Sequence, residues 1–229
     1  MKIPLSRRLL ACCNFVNQGD RVADIGCDHG YLGIYLLQNN IAASVIASDI
    51  NEQPLQSAVR NAEKFGVSDR ISFHLSSGVQ QIPRDFNTLV CAGMGADTMI
   101  SILSDAPWLM DSRYRLVLQC QSKTPTLRRY LSDNGWYINR EAILRDGRFL
   151  YTVMEVLWLP TYPRLTPGQQ YLPPALLVNQ GLDLTQYCQR VLFSLRRAVL
   201  NQREHIDPLM AAALQELEAT PTLQHLTEE

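Results

Sequence analysis

Asp24-Ile25-Gly26-Cys27-Asp28-His29-Gly30 places two glycines, two carboxylates and an imidazole within one short segment, directly after an apolar run of strand length. Glycine at 26 and 30 lets the backbone turn sharply and approach a ligand, and a helix opening near Tyr31 aims its free N–H groups at the same place. Nineteen residues after Gly30, Ser48-Asp49 closes a second apolar run. A carboxylate there can accept hydrogen bonds from both hydroxyls of a ribose, so strand, turn, helix, strand and acid together point to an adenosine-containing cofactor. Charge decides which kind. Asp24 and Asp28 flank the turn, and a carboxylate beside a pyrophosphate costs several kcal/mol of repulsion in a half-buried site. A ligand carrying a sulfonium and an ammonium group suits the place. The plainer alternative makes Asp28 a turn residue and His29 a solvated side chain.

A second pair of glycines stands in Ala92-Gly93-Met94-Gly95, after the apolar run Leu89-Val90-Cys91. In doubly wound folds ligands bind at the carboxyl edge of the sheet, so close backbone approach to a methyl donor or to its target explains these glycines. A structural turn is the alternative, with Asp97 as the N-cap of the following helix.

The elements that must hold these residues alternate between strand-length and helix-period segments through the first two-thirds of the chain, the pattern of a parallel sheet with crossover helices. Strands are predicted at Arg21–Gly26, Ser44–Asp49, Arg70–Leu75, Thr88–Ala92 and Tyr114–Gln119, with helices near 31–38, 52–65, 96–104 and 125–134. Asn51 with Pro54, and Thr124-Pro125, read as helix starts, and Gly66 and Gly135 as stops. Two long apolar runs, Trp136–Leu144 and Arg148–Leu159, meet at Asp146-Gly147, a hairpin signal. Five parallel strands and a terminal hairpin give an α/β, Rossmann-like class I methyltransferase sheet, mostly parallel with an antiparallel last strand. A dehydrogenase would continue with parallel crossovers.

Six prolines and glycines crowd residues 160–174, which read as a linker or extended strap separating a domain at 1–159 from a C-terminal unit at 175–229. Leu184, Tyr187, Val191, Leu195 and Ala198 recur at helical spacing, and Asp207-Pro208 announces a further helix, so an antiparallel helical hairpin is expected there. The net charge of −1 hides an asymmetry: residues 111–203 hold thirteen Lys/Arg against six Asp/Glu, and residues 204–229 hold none against six. A polyanion finds its grip in the basic segment, unless these charges are solvated helix faces. Six cysteines without C-x-x-C or zinc spacing read as reduced thiols of a cytoplasmic protein. No run is long enough to span a bilayer, and no metal site is indicated.

Leu5-Ser6-x-Arg8-Leu9, Ala23-Asp24-Ile25-Gly26-x-Asp28-His29-x-Tyr31-Leu32, Ala92-Gly93-Met94-Gly95 and Leu118-Gln119 with Leu127-Arg128 resemble the bacterial tRNA (adenine-22-N1)-methyltransferase family, over residues 1 to about 158. Two segments depart from the usual pattern: Ser76-Ser77-Gly78-Val79 stands for Gly-Asp-Gly-Leu, and Leu118-Gln119-Cys120-Gln121 for Leu-Gln-Pro-Asn. The resemblance implies S-adenosylmethionine as cofactor, held by Asp24, Gly26, Gly30, Asp49, Ser77, Gly78, Gly93 and Met94. It implies tRNA as the partner, with no membrane and no obligatory protein partner. Adenine N1 lies on the Watson–Crick edge, so the base must be unpaired or flipped to react. Stacking and edge contacts fall to Tyr31 and His29, and stabilisation of the methylated ring to Asp28, with Asp97 behind it. Lys2, Arg7, Arg8, Lys123, Arg128, Arg190, Arg196, Arg197 and Arg203 are the candidate RNA contacts. A small-molecule methyltransferase and a non-catalytic, cofactor-retaining RNA-binding protein are the rival readings.

Overall fold

The computed structural model describes residues 3–201, 207–221 and 223. Helix α1 (Arg7–Cys13) leads into β1 (Asp20–Ile25), α2 (Tyr31–Gln38), β2 (Ala42–Asp49), α3 (Glu52–Phe65), β3 (Ile71–Leu75), β4 (Thr88–Met94) and α4 (Ala96–Ser104). A 3-10 turn (Pro107–Leu109), β5 (Arg115–Cys120), α5 (Thr124–Asp133), β6 (Trp136–Asp146) and β7 (Phe149–Trp158) follow. The rest is helical: α6 (Pro167–Tyr171), α7 (Pro174–Leu177), α8 (Leu182–Asn201) and α9 (Pro208–Glu218).

One seven-stranded sheet runs in the order β3-β2-β1-β4-β5-β7-β6, parallel except that β7 pairs antiparallel with both β5 and β6. The order reverses between β1 and β4, and that switch point puts a crevice at the carboxyl ends of β1, β2 and β4. Alternation of side chains sorts the buried strand residues onto two faces. Ala23, Ile25, Leu89, Cys91, Leu116 and Leu118 pack with Met99 and Leu103 of α4 and Leu127 and Leu131 of α5. Val22, Val90 and Val117 pack on the other face with Cys12, Leu32, Leu36 and Ala58 of α1, α2 and α3. With both faces covered, the central strands are apolar almost throughout.

The predicted strands and central helices lie where expected to within two residues. Helix α1 was not foreseen. It is capped by Ser6, whose hydroxyl accepts from the Leu9 amide, and it buries Cys12 and Cys13. All six cysteines are free and buried.

Residues 160–174 divide: 160–166 carry no helix or strand, whereas two short helices stand at Pro167–Tyr171 and Pro174–Leu177. Pro167 and Pro174 each stand at the first position of a short helix, where a missing N–H costs nothing, so these two prolines mark helix starts. Thr166 and Gln169 close a capping box on α6, and α9 packs against α6 more extensively than against α8. Glu216 of α9 accepts from the Gly168 amide at 2.9 Å and from the Thr166 hydroxyl. A third apolar cluster, with Leu172, Leu176, Cys188, Leu192 and Leu217, holds α6 to α9 together. Helices α8 and α9, where a helical hairpin was expected, thus pack with the proline-rich segment in one apolar cluster.

Candidate active site

Two glycine turns face each other across the switch point. In the first, the amides of Gly26 and Cys27 both donate to the Ser48 carbonyl at 2.8 Å, tying the end of β1 to the end of β2. Asp28 takes a left-handed backbone (φ 51°) and its amide donates to Asp49 Oδ2 at 3.1 Å. Asn51 donates its amide to Asp49 Oδ1 at 2.9 Å, so it occupies the N-cap of α3 without capping through its side chain. Asp49 is therefore fixed by two backbone donors before any ligand arrives. In the second turn, Gly93 (φ 80°) donates to Oε1 of the fully buried Gln119 at 3.1 Å. The turns interlock: a Cβ on Gly26 would overlap the terminal methyl of Met94.

The space between them is a cleft of about 590 Å³, within the usual range for small-molecule sites. Asp24, Gly26, Asp28, Asp49, Ser77, Gly78, Gly93 and Met94 all line it. Asp24 is 4% exposed, and its Oδ2 has no hydrogen-bond partner. Burial pushes its carboxyl up from 3.8 to about 7; the Gly33 amide draws it down and the Asp49 charge adds to the rise. A buried carboxylate oxygen without a donor is costly unless a ligand supplies one, and a cation meets that need. The residues present thus fit S-adenosylmethionine: an acid for its positive end, a held acid for the ribose, and two turns with room for close backbone approach. Gly78 (φ 58°) closes the third wall, its backbone held by Ser76, whose hydroxyl donates to the Gly78 carbonyl at 2.9 Å.

Three expected site residues lie outside the lining. Gly30 (φ 72°) faces α3, where a Cβ would come within 2.9 Å of the Ala58 Cβ; its smallness serves helix packing, not the cofactor. Tyr31 packs with the α1–α2 core cluster, and the half-exposed His29 lies with its ring 5.9 Å from that of Tyr31. Asp28 alone of the three candidate catalytic residues reaches the cleft. Sequence reasoning gave Arg8 to RNA and passed over Ile50 and Gln121; all three line the cleft. Ile50 carried a signal, an apolar residue exposed directly after the strand-end acid.

The basic candidates divide. Arg128 is not an RNA contact. It is wholly buried, pairs with Glu141 at 2.5 Å, and donates to the carbonyls of Gln170 at 3.1 Å and Tyr171 at 2.6 Å. Lys123 is exposed but paired with Asp97 at 2.7 Å, and Arg196 is paired with Glu218 at 2.7 Å. Arg8 pairs with Asp146 at 3.3 Å on the cleft wall. Arg7, Arg190 and Arg197 are exposed, while Lys2 and Arg203 fall outside the described residues.

Comparison with known proteins follows this geometry. The sequence pattern of the methyltransferase-domain family matches residues 5–154. A provisionally named tRNA methyltransferase of Mycoplasma genitalium is 33% identical over 178 residues, 76% of this chain and 79% of the relative. The chain belongs to the bacterial tRNA (adenine-22-N1)-methyltransferase family. The member named tRNA (adenine(22)-N(1))-methyltransferase in Bacillus subtilis is 30% identical over 154 residues, 67% of this chain and 65% of the relative. A Streptococcus pneumoniae structure, provisionally described as a tRNA (m1A22) methyltransferase in complex with S-adenosyl-L-methionine, superposes with a TM-score of 0.81 at 26% identity. It covers 98% of this chain and 100% of its own. Such coverage extends the family fold through α6–α9. Among the described residues no helix is long and apolar enough to cross a membrane, and no cluster could hold a metal ion.

Proposed function

We propose that the protein transfers the methyl group of S-adenosylmethionine to N1 of an unpaired adenine in tRNA, at position 22 as in its named relatives, in the cytoplasm. The observation that carries the reading is the buried, unpartnered carboxylate oxygen of Asp24 at the back of a cleft between two glycine turns. When bound there, S-adenosylmethionine supplies an electrophilic methyl group.

The chain's own residues hold and orient. Asp24 meets positive charge in a setting where water is excluded, which strengthens the attraction. Asp49 keeps both oxygens fixed by backbone donors and still offers lone pairs to ribose hydroxyls. Adenine N1 carries a lone pair and no proton, so no residue is needed as a strong base for attack. Position, rather than proton removal, is what the site must supply. Asp28 at the cleft wall accepts from the exocyclic amine and stabilises the cation that develops on the ring. His29 stands beside Asp28 at 3.6 Å, outside the cleft lining.

Radiolabelled cofactor and unmodified tRNA test this directly. Label should enter tRNA, and reverse transcription, which N1 methylation blocks, should stop at adenine 22. Label that goes only to small molecules, or stops at another base, would overturn the reading.

A further inference from the structure

Strand β7 pairs with β5 only over Met154–Leu157, whereas its pairing with β6 continues to Phe149. The hairpin therefore runs past the body of the sheet, and its overhang carries two aromatic rings. Phe149 is 50% exposed. Its ring centroid lies 6.1 Å from that of Tyr151, with cations on both: Arg148 5.0 Å from the Phe149 centroid and Arg8 5.4 Å from the Tyr151 centroid.

Against these rings lies a hollow of about 250 Å³, lined among others by Gln121, Thr124, Thr152 and Arg190. Gln121 also lines the cofactor cleft, so the two spaces adjoin at one residue. Arg190, exposed on α8, borders the hollow and a further one of about 410 Å³ beyond it. An exposed ring and a half-buried one, interleaved with arginines, form a stacking platform with a phosphate grip, the arrangement that holds single-stranded nucleic acid.

We infer that this hollow receives the base of a nucleotide next to the reacting adenine in an unpaired stretch of RNA. Phe149 and Tyr151 stack on that base, and Arg190 meets a neighbouring phosphate. The inference rests on the functional reading above and adds to it where the strand enters and which residues grip it.

The test uses the full chain and unmodified tRNA. Loss of one stacking contact should raise the KM for tRNA about tenfold in Phe149→Ala, with kcat within about twofold and calorimetric affinity for S-adenosylmethionine unchanged. Phe149→Trp should restore the wild-type KM, and Phe149→Leu, apolar but not planar, should not. Arg190→Gln should lower the slope of log KM against log salt by about one. A wild-type KM in Phe149→Ala, or equal rescue by Leu and Trp, overturns the inference while leaving the functional reading intact. If the wild-type protein transfers no methyl group to tRNA, the functional reading fails. The hollow is then judged by fluorescence anisotropy with a single-stranded oligoribonucleotide: about tenfold weaker binding by Phe149→Ala supports it, and equal binding overturns it.

Discussion

Asp24 makes cofactor binding depend on pH in a direction that can be worked out beforehand. Its carboxyl is held near 7 in the folded chain against an ordinary 3.8, so between about pH 4 and pH 7 the folded state keeps a proton that the unfolded chain has lost. Stability therefore falls as pH rises through this window, and the cost is complete above about 7. Three units correspond to about 4 kcal/mol, as an order of magnitude. A cation seated against Asp24 needs the ionised form. At pH 8 the carboxylate is already ionised, whereas below pH 7 each binding event must first expel the proton. Affinity for S-adenosylmethionine should thus weaken about tenfold per pH unit from 7 to 5, each decade being about 1.4 kcal/mol. Titration calorimetry in two buffers of different ionisation enthalpy should register release of close to one proton per ligand at pH 6. Asp24→Asn should flatten the profile and weaken binding at pH 8 by about 1–3 kcal/mol. The same change should raise thermal stability of the ligand-free protein above pH 7, because no charge is then buried. A wild-type affinity that is level from pH 5 to 7, or an Asp24→Asn profile with the same slope, would refute the assignment of Asp24 to the cationic end.

Asp49→Ala should weaken cofactor binding by about 1–3 kcal/mol by calorimetry and also loosen the turn, because the Asp28 and Asn51 amides lose their acceptor. Asp28→Asn should lower kcat for tRNA with little change in cofactor affinity, whereas His29→Ala should leave both within about twofold in steady-state assays. Arg128→Ala should cost about 3–5 kcal/mol in denaturant unfolding, because Glu141 is left charged and unpaired in the core; replacing both by Met and Leu should recover most of the loss. A chain ending at Pro160 removes the Gln170 and Tyr171 carbonyls from the same guanidinium, so its thermal midpoint should drop well below that of the full chain rather than match it.

How far the site could be read in the sequence depended on how unusual a residue type each position demands. Gly26 and Gly93 need backbone angles that side chains rarely adopt, and Asp49 needs an acid at a strand end. Such positions announce themselves. Tyr31 and His29 did not fail for want of chemistry: helix α2 turns its first residue onto the α1 side, a tertiary fact that no local pattern encodes. Arg128 was misplaced although a signal existed. It shares a helical face with Thr124, Leu127 and Leu131, whereas Arg129 falls on the exposed side. An arginine on the apolar stripe of an amphipathic helix reads as a buried partner once the stripe is drawn. The carbonyls and the carboxylate that satisfy it come from α6 and β6, and nothing in the spacing of α5 reveals them. The proline-rich segment was legible as a break in pattern but not as two helices, because proline at a helix start and proline in a strap look alike until the packing of α9 decides.

The place of β7 in the sheet sets when the β5 edge can close during synthesis. Leu116, Val117 and Leu118 of β5 find their outer neighbours only at Met154, Glu155 and Val156, so an apolar edge of the sheet stays open while the ribosome makes the next forty or so residues. Strand β6 emerges first and runs parallel to β5, which makes it a ready but wrong occupant of that edge. The tight reversal at Gly147-Arg148, closed by the Asp146–Phe149 pair, lets β7 fold back along β6 as a local pair before either reaches the sheet. The nascent chain is then offered a finished ribbon whose inner strand is β7, and the open edge, a template for pairing with neighbouring chains, closes in one docking event.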